Sequence, residues 1–305
     1  MMRVLVVGAT GVVGRQLVPM LRSSGHDVIG TSRSERGMAT VAQLGGTPLQ
    51  LDVLDRLAVQ RAVAETKPDA IVHQATDLSA LGNDFRHFDK LFAGTNRLRT
   101  VGTENLFAAG REAGVQRYVV QSYRWGFTDA DGVIDPNPPK AFRESAAALL
   151  RLEQLVRETP GAVALRYGGF YGPGTSLAEG GPQITAIRKR MIPIIGSGNG
   201  YWTFLHTYDA ASAALAALTQ GEGVYMVVDD EPAQTKVWLP YLADVLGAKP
   251  PRHVPEWLGR LAAGPGGAWL MTTAPAASNA VARRELGWAP KYASWRDGFR
   301  AELGG

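Results

Sequence analysis

Residues 4–14, Val-Leu-Val-Val-Gly-Ala-Thr-Gly-Val-Val-Gly, carry a β-branched apolar run through three glycines into a helical pattern. Val4–Val7 is short and continuously apolar, which suits a strand buried on both faces of a parallel sheet. Gly8 permits a tight turn, Gly11 lets backbone amides approach a pyrophosphate, and Gly14 lets the following helix lie close to the strand. The helix start adds unpaired N–H groups and a partial positive charge. Gly8, Thr10, Gly11, Val12, Val13 and Gly14 are therefore expected to cradle the phosphates of a dinucleotide. The first two glycines are one residue further apart than in the common Gly-x-Gly-x-x-Gly fingerprint.

The alternation continues downstream. Val13, Leu17 and Leu21 form one buried stripe, with Pro19 expected to kink their helix. Strands are expected at Asp27–Thr31, Pro48–Asp52, Ala70–His73, Tyr118–Gln121 and Ala162–Arg166. Helices are expected at Met38–Leu44, Leu57–Thr66, Asn96–Ala113 and Arg143–Glu158, with a mixed loop at 77–95 and a proline-rich loop at Asp135–Pro139. Strands alternating with helices imply right-handed crossovers and a doubly wound, mostly parallel α/β sheet. From about residue 168 glycine- and proline-rich loops separate shorter segments at Ile192–Ile195, Thr203–His206, Val224–Val228 and Leu239–Leu246. The reading is a nucleotide-binding domain over 1–167 and a smaller substrate lobe over 168–305, interleaved with late strands of the main sheet.

Composition excludes several chemistries. The absence of cysteine removes disulfides, thiolate nucleophiles and iron–sulfur clusters, and five scattered histidines make no metal motif. The net charge of +4 comes without a Lys/Arg run, so no nucleic-acid partner is expected. No stretch reaches membrane-spanning length, and a cytoplasmic location follows as the default.

Several landmarks occur in order: Gly8-Ala-Thr-Gly-Val-Val-Gly14, His73-Gln-Ala75, Gly102-Thr103, Arg117-Tyr-Val-Val-Gln-Ser122, Leu165-Arg-Tyr-Gly-Gly-Phe-Tyr171-Gly-Pro-Gly174, Phe204-Leu-His-Thr-Tyr-Asp209 and Glu285-Leu-Gly-Trp288. From end to end the chain resembles the extended short-chain dehydrogenase/reductase superfamily, in its NAD-dependent epimerase/dehydratase branch. The resemblance implies a Rossmann domain that binds NAD(P). It also implies a C-terminal lobe that holds a small-molecule substrate, often a nucleotide sugar. Relatives often form homodimers through two long helices, here about 96–113 and 143–158.

The end of the second strand reads Thr31-Ser32-Arg33-Ser34, with no carboxylate before Glu35. A guanidinium at Arg33, helped by Ser32, suits a ribose 2′-phosphate, so NADP(H) is favoured over NAD(H). By the resemblance, Asp52 and Val53 face the adenine and Gln74, Ala75 and Thr76 run beneath the ribose, with His73 structural. Tyr167, Phe170 and Tyr171 lie on the loop that reaches the nicotinamide half and the substrate.

The catalytic pattern departs from the family, which carries Ser/Thr after strand five and Tyr-x-x-x-Lys in the next helix. Counting back from Glu153 puts Leu149 in the place of the Lys and Ser145 in the place of the Tyr. The serine landmark reads Ser122-Tyr123. Tyr123, assisted by Ser122 and with Arg124 nearby to favour its phenolate, is one candidate proton donor; an aromatic packing role is the alternative. Tyr171 is another candidate. Asp209 reads as a helix cap, Asp229-Asp230-Glu231 as a solvated turn, and Lys140 as a remote substitute for the missing lysine. Trp125, Phe127, Trp202, Phe204, Trp257 and Trp269 are candidates for an apolar substrate cavity or for ordinary core. The favoured reading is an NADP-dependent oxidoreductase reducing a small carbonyl or conjugated substrate. A nucleotide-sugar epimerase or dehydratase and a catalytically silent NADP-binding sensor are the alternatives.

Overall fold

The computed structural model describes residues 1–78, 88–124, 138 and 140–304. The main body runs β1 (Arg3–Val7), α1 (Gly14–Ser23), β2 (Asp27–Ser32), α2 (Glu35–Gln43), β3 (Thr47–Gln50), α3 (Arg56–Thr66), β4 (Ala70–His73) and α4 (Phe88–Arg97). A π-helical turn over Leu98–Gly102 leads into α5 (Thr103–Glu112), then β5 (Arg117–Tyr123), α6 (Arg143–Arg157) and β6 (Ala162–Tyr167). The remainder holds β7 (Gly169–Tyr171), α7 (Pro182–Arg188), β8 (Ile194–Ile195), β9 (Tyr201–Trp202), β10 (Phe204–His206), α8 (Thr207–Ala216) and β11 (Gly223–Val227). It ends with β12 (Ala233–Gln234), α9 (Thr235–Val245), β13 (His253–Val254), α10 (Glu256–Thr272), α11 (Ala280–Leu286) and α12 (Trp295–Leu303).

Seven strands form one sheet in the order β11-β6-β5-β4-β1-β2-β3, every neighbouring pair parallel. The order reverses at β1, whose neighbours are β2 and β4, so a crevice opens there beyond the carboxyl ends of the strands. β11 joins this sheet from the C-terminal half, pairing with β6.

Alternate strand residues feed two cores. Val4, Val6, Val72, Val119 and Val163 pack with Leu17 and Leu21 of α1 and the alanines of α8. Leu5, Ile71, Val120 and Ala164 pack with Val59 and Val63 of α3, Leu106 of α5 and Leu152 of α6. Each large apolar side chain buried this fully contributes about 1.5–3 kcal/mol. A third core, built on Phe204, Trp238, Trp295 and Phe299, holds the C-terminal lobe together.

Local departures from the expected elements have local causes. The expected helix over Asn96–Ala113 starts earlier, at Phe88, so part of the expected 77–95 loop is helical. It also widens at Leu98–Gly102, where a glycine passes close to Val53 and His73. α2 starts at Glu35 rather than Met38, because the Ser34 hydroxyl accepts the Gly37 N–H and caps it. The third strand ends at Gln50, after which Asp52 turns to accept the Leu54 amide. α1 continues across Pro19 to Ser23.

Candidate active site and cofactor cleft

A cleft of about 470 Å³ opens at the β1 switch point. Gly8, Thr10, Gly11, Val12 and Val13 from the first turn line it, as do Ser32 and Arg33 after β2. Asp52 and Val53 after β3, Gln74, Ala75 and Thr76 after β4, and Phe170 line it as well, whereas Gly14 and Tyr167 of the expected set do not. Thr31, Ser34, Leu51, Leu78, Leu98 and Gln121 also line it, beyond the residues expected from the sequence. Leu98 belongs to the π-helical turn, which no apolar period reveals.

The glycines explain how the cleft stays open. Gly8 has φ +84°, and a Cβ there would stand 2.6 Å from the Ala75 nitrogen, so only glycine lets the first turn and the β4 end meet. A Cβ on Gly14 would stand 2.3 Å from the Gly8 carbonyl oxygen. Gly14 does not line the cleft; it seats α1 against the turn that does. The backbone cradle, the N-terminus of α1 and the exposed guanidinium of Arg33 fit a phosphorylated dinucleotide, and the volume falls within the range of cofactor pockets.

His73 lies beneath the cleft. Its Nε2 is 3.1 Å from the Leu98 carbonyl, and burial pushes its pKa down to about 4, with the neighbouring Arg99 acting in the same direction. The imidazole is therefore neutral and holds the widened turn in place.

The expected catalytic residues separate. The Ser122 hydroxyl donates to Glu153 at 3.3 Å, beside a buried ion pair in which the Arg166 Nε lies 2.5 Å from the same carboxylate oxygen. Ser122 thus serves the contact between β5, α6 and β6 and does not line the cleft. Tyr171 is enclosed in the lobe core among Phe204, His206 and Phe299, with no hydrogen-bond partner for its hydroxyl. Burial and the nearby carboxylates of Asp229 and Asp209 push its pKa up, and its place in the lobe core keeps it away from the cleft. Tyr167 is also enclosed, donating to the Ala210 carbonyl at 3.2 Å, and does not line the cleft.

Tyr123 does not line the cleft either, but it stands two residues beyond Gln121, which does, on the same face of β5. Its ring packs among Phe92, Phe142 and Leu149. Burial pushes its pKa up to about 12, partly countered by Arg99, whose guanidinium carbon lies 4.2 Å from the ring centroid. The expected neighbour, Arg124, points elsewhere and donates to the carbonyls of Pro275 and Ala276. Arg99 had no signal in the sequence, because twenty-four positions separate it from Tyr123 and only the fold brings them together.

Other expectations are corrected by burial. Asp209 does not cap α8; His206 does, and Asp209 accepts the Lys291 and Tyr292 amides at 2.7 and 3.0 Å. Asp229 is buried, accepting the Glu231 and Trp295 amides, and is no solvated turn residue. Lys140 is exposed on a short 3₁₀ turn. Trp202 and Phe204 are packed in the lobe core and Trp257 is exposed, so the aromatic cavity does not form from them. Trp125, Phe127 and most of the proline-rich loop, at 135–137 and 139, lie outside the described residues. Among the described residues no helix is long and apolar enough to cross a membrane.

Residues 4–227 match the model of the NAD dependent epimerase/dehydratase family. The chain belongs to that family. It is accordingly an enzyme of the NAD(P)-dependent oxidoreductase and epimerase class. A 3-diazoavenalumate denitrifying reductase from a Streptomyces species is 40% identical over 316 aligned residues, covering 99% of this chain and 100% of the relative. A 4-hydroxy-2-methyl-3-oxo-4-farnesyl-3,4-dihydroquinoline-1-oxide ketoreductase from Stigmatella aurantiaca is 28% identical, covering 81% and 74%. Among solved structures, the UDP-glucose 4-epimerase of Thermotoga maritima superposes with a TM-score of 0.76 at 18% identity, covering 99% and 97%, and shares the fold.

Proposed function

We propose that this family member is an NADPH-dependent reductase of a small conjugated substrate, with a diazo group as the leading acceptor and a ketone carbonyl as the second. The observation that supports NADPH is Arg33. Its guanidinium is exposed at the cleft rim between Ser32 and Ser34, with no ion-pair partner among the described residues and no carboxylate in the Thr31–Ser34 turn. Support for a diazo acceptor comes from the reductase that aligns over the whole chain, and support for a ketone from the ketoreductase.

When bound, the dihydronicotinamide supplies a hydride. The turn amides and the start of α1 hold the diphosphate, Arg33 the 2′-phosphate, and the β4 and β5 ends shape the far side of the cleft. A neutral diazo compound takes one hydride and one proton and releases dinitrogen; a ketone takes the same pair and becomes an alcohol. Sugar epimerisation ranks lower, because it starts by removing a proton from a hydroxyl. α6 offers Ser145 and Leu149 where a phenol and an ammonium would do that work. Pairing of two copies through the outer faces of α5 and α6 belongs to the same reading.

Fluorescence titration tests the cofactor. NADPH should bind more tightly than NADH, and Arg33→Ala should weaken NADPH by about 10- to 100-fold, the worth of a charge-assisted contact, while leaving NADH within a few-fold. Equal affinities in the unaltered protein would remove the assignment. Turnover with a neutral diazo compound, followed by dinitrogen release, against turnover with ketones then selects the acceptor. Binding without any turnover would favour a sensor.

A further inference from the structure

Both acceptors need a proton, and the residues that normally deliver it are missing from α6. The structure shows what stands there instead. Ser145, in the place of the phenol, sits at the start of α6 with its hydroxyl donating to Asp89 at 2.6 Å and accepting from Asn96 at 3.1 Å. Asp89 also accepts the Glu144 and Ser145 amides and so fixes the first turn of the helix. The Tyr123 phenol, carried by β5, reaches across to hydrogen-bond with this same Ser145. Serine and tyrosine have exchanged origins. The phenol comes from the strand and the small hydroxyl from the helix, yet the two still meet.

The cation is also relocated. Leu149, in the place of the lysine, is buried and apolar, packed in the same cluster as Tyr123. Arg99 comes from the opposite wall. It is 3% exposed, its guanidinium lies on the Tyr123 ring, and its Nε and Nη1 have no hydrogen-bond partner. A buried guanidinium with unused donors is costly unless it acts on a neighbouring charge that forms or arrives. The π-helical turn that presents it also puts the adjacent Leu98 on the cleft wall, and Gln121, two residues before Tyr123, lines that wall too. With Arg33 at the β2 side of the switch point, these residues mark the opposite, β4–β5 side, where the reactive half of a dinucleotide spanning the crevice falls.

We propose that Tyr123 is the proton donor of this site, with Ser145 as its hydrogen-bonded partner and Arg99 as the positioning cation that stabilises its phenolate. The assignment rests on the reductase reading above. In the step, the acceptor gains a new bond to hydrogen from the hydride, and its C=O π bond breaks or its C–N bond breaks with loss of dinitrogen. The electron pair displaced onto the acceptor's oxygen or carbon takes the proton of the Tyr123 O–H bond. The phenolate left beside Arg99 regains a proton from water. Burial keeps the phenol protonated up to about pH 12, so the acid is in its working form at neutral pH. The charged groups facing it are Arg99 from the π-helical turn and Asp89 from α4.

Variants of the full-length protein test this with two readouts. Tyr123→Phe should lower kcat by about 10²–10⁴-fold, the range of general acid catalysis, while NADPH affinity stays within twofold. Arg99→Lys should retain more turnover than Arg99→Met, and Tyr123→Ser/Ser145→Tyr/Leu149→Lys should recover turnover above that of Tyr123→Phe. Without cofactor or substrate, the ¹³Cζ resonance of Tyr123, identified by its loss in Tyr123→Phe, should move in both Ser145→Ala and Arg99→Met. Wild-type turnover by Tyr123→Phe, or a resonance that neither change moves, would overturn the assignment and leave the reductase reading intact. An unaltered protein that binds NADPH but reduces no diazo or carbonyl acceptor would overturn both.

Discussion

His73, expected from the sequence to be structural, shows how a strand-end imidazole beside a cleft is kept out of the chemistry. It ends a central strand beside the cleft, where an imidazole would suit acid–base work, yet it is fully enclosed and held by the Leu98 carbonyl. Its folded-state pKa of about 4 lies below the ordinary 6.5, so between these values the unfolded chain binds the extra proton. Stability contributed by the neutral ring is therefore present above pH 6.5 and is lost as pH falls toward 4. Denaturant titrations at pH 7 and pH 4 should show wild type losing about 3 kcal/mol more than His73→Gln over this interval, since each tenfold difference in proton affinity is worth about 1.4 kcal/mol. Equal losses would mean that the ring is protonated within the fold. Tyr123 runs the other way, as an aromatic that reads equally well as packing but meets Ser145 and Arg99.

Among the elements, the β1–α1 turn is the most tightly determined, and its glycines differ in why they are needed. Gly25, after α1, has φ +80° with nothing within 4 Å of a built Cβ, so alanine there suffers backbone strain alone. Gly14 is the first residue of α1, where alanine would be favoured by at most about 1 kcal/mol of helix propensity. Its Cβ would instead collide with the Gly8 carbonyl and the Ala9 backbone, and overpacking of this kind costs about 1–3 kcal/mol. Gly14→Ala is thus expected to lower stability despite the better propensity and to weaken nucleotide binding at least tenfold. Gly25→Ala should cost about 1 kcal/mol, the penalty of a left-handed alanine, and leave binding unchanged. Thermal melts and cofactor titrations of the two variants check the contrast. The π-helical turn shows what element-level reading loses. A period of 3.6 joins Asn96–Ala113 into one helix, because the widening depends on Gly102 approaching Val53 and on a carbonyl shared with His73, both distant in sequence.

Across the whole molecule, buried charges tie remote segments together. The Glu153–Arg166 pair, with Ser122 against it, links α6, β6 and β5 at the centre of the fold. Removing one partner strands the other in a dry interior, so Glu153→Leu should cost about 3–5 kcal/mol. Replacing both, Glu153→Leu with Arg166→Met, should recover much of that loss. Equilibrium unfolding of the three proteins distinguishes this from a purely steric role, for which the double variant would be no more stable than the single. At the other end, Asp209 and Asp229 hold the backbone of residues 291, 292 and 295, which draws α12 onto the lobe and encloses Tyr171.

The sequence by itself determined the parallel sheet and most of the residues that line the cleft. In an alternating α/β chain every strand of the parallel sheet ends at the same edge, so residues just past β1, β2, β3 and β4 converge without knowledge of any long-range contact. Tertiary structure alone decided which side chains were withdrawn from that edge. Ser122 turned to Glu153, Tyr171 to the lobe core and Arg124 to the backbone after α10, while Arg99 came to lie on Tyr123. The physical reason is burial: a polar group removed from water must find a partner, and the partner available to each of these depends on packing between elements that local pattern does not encode.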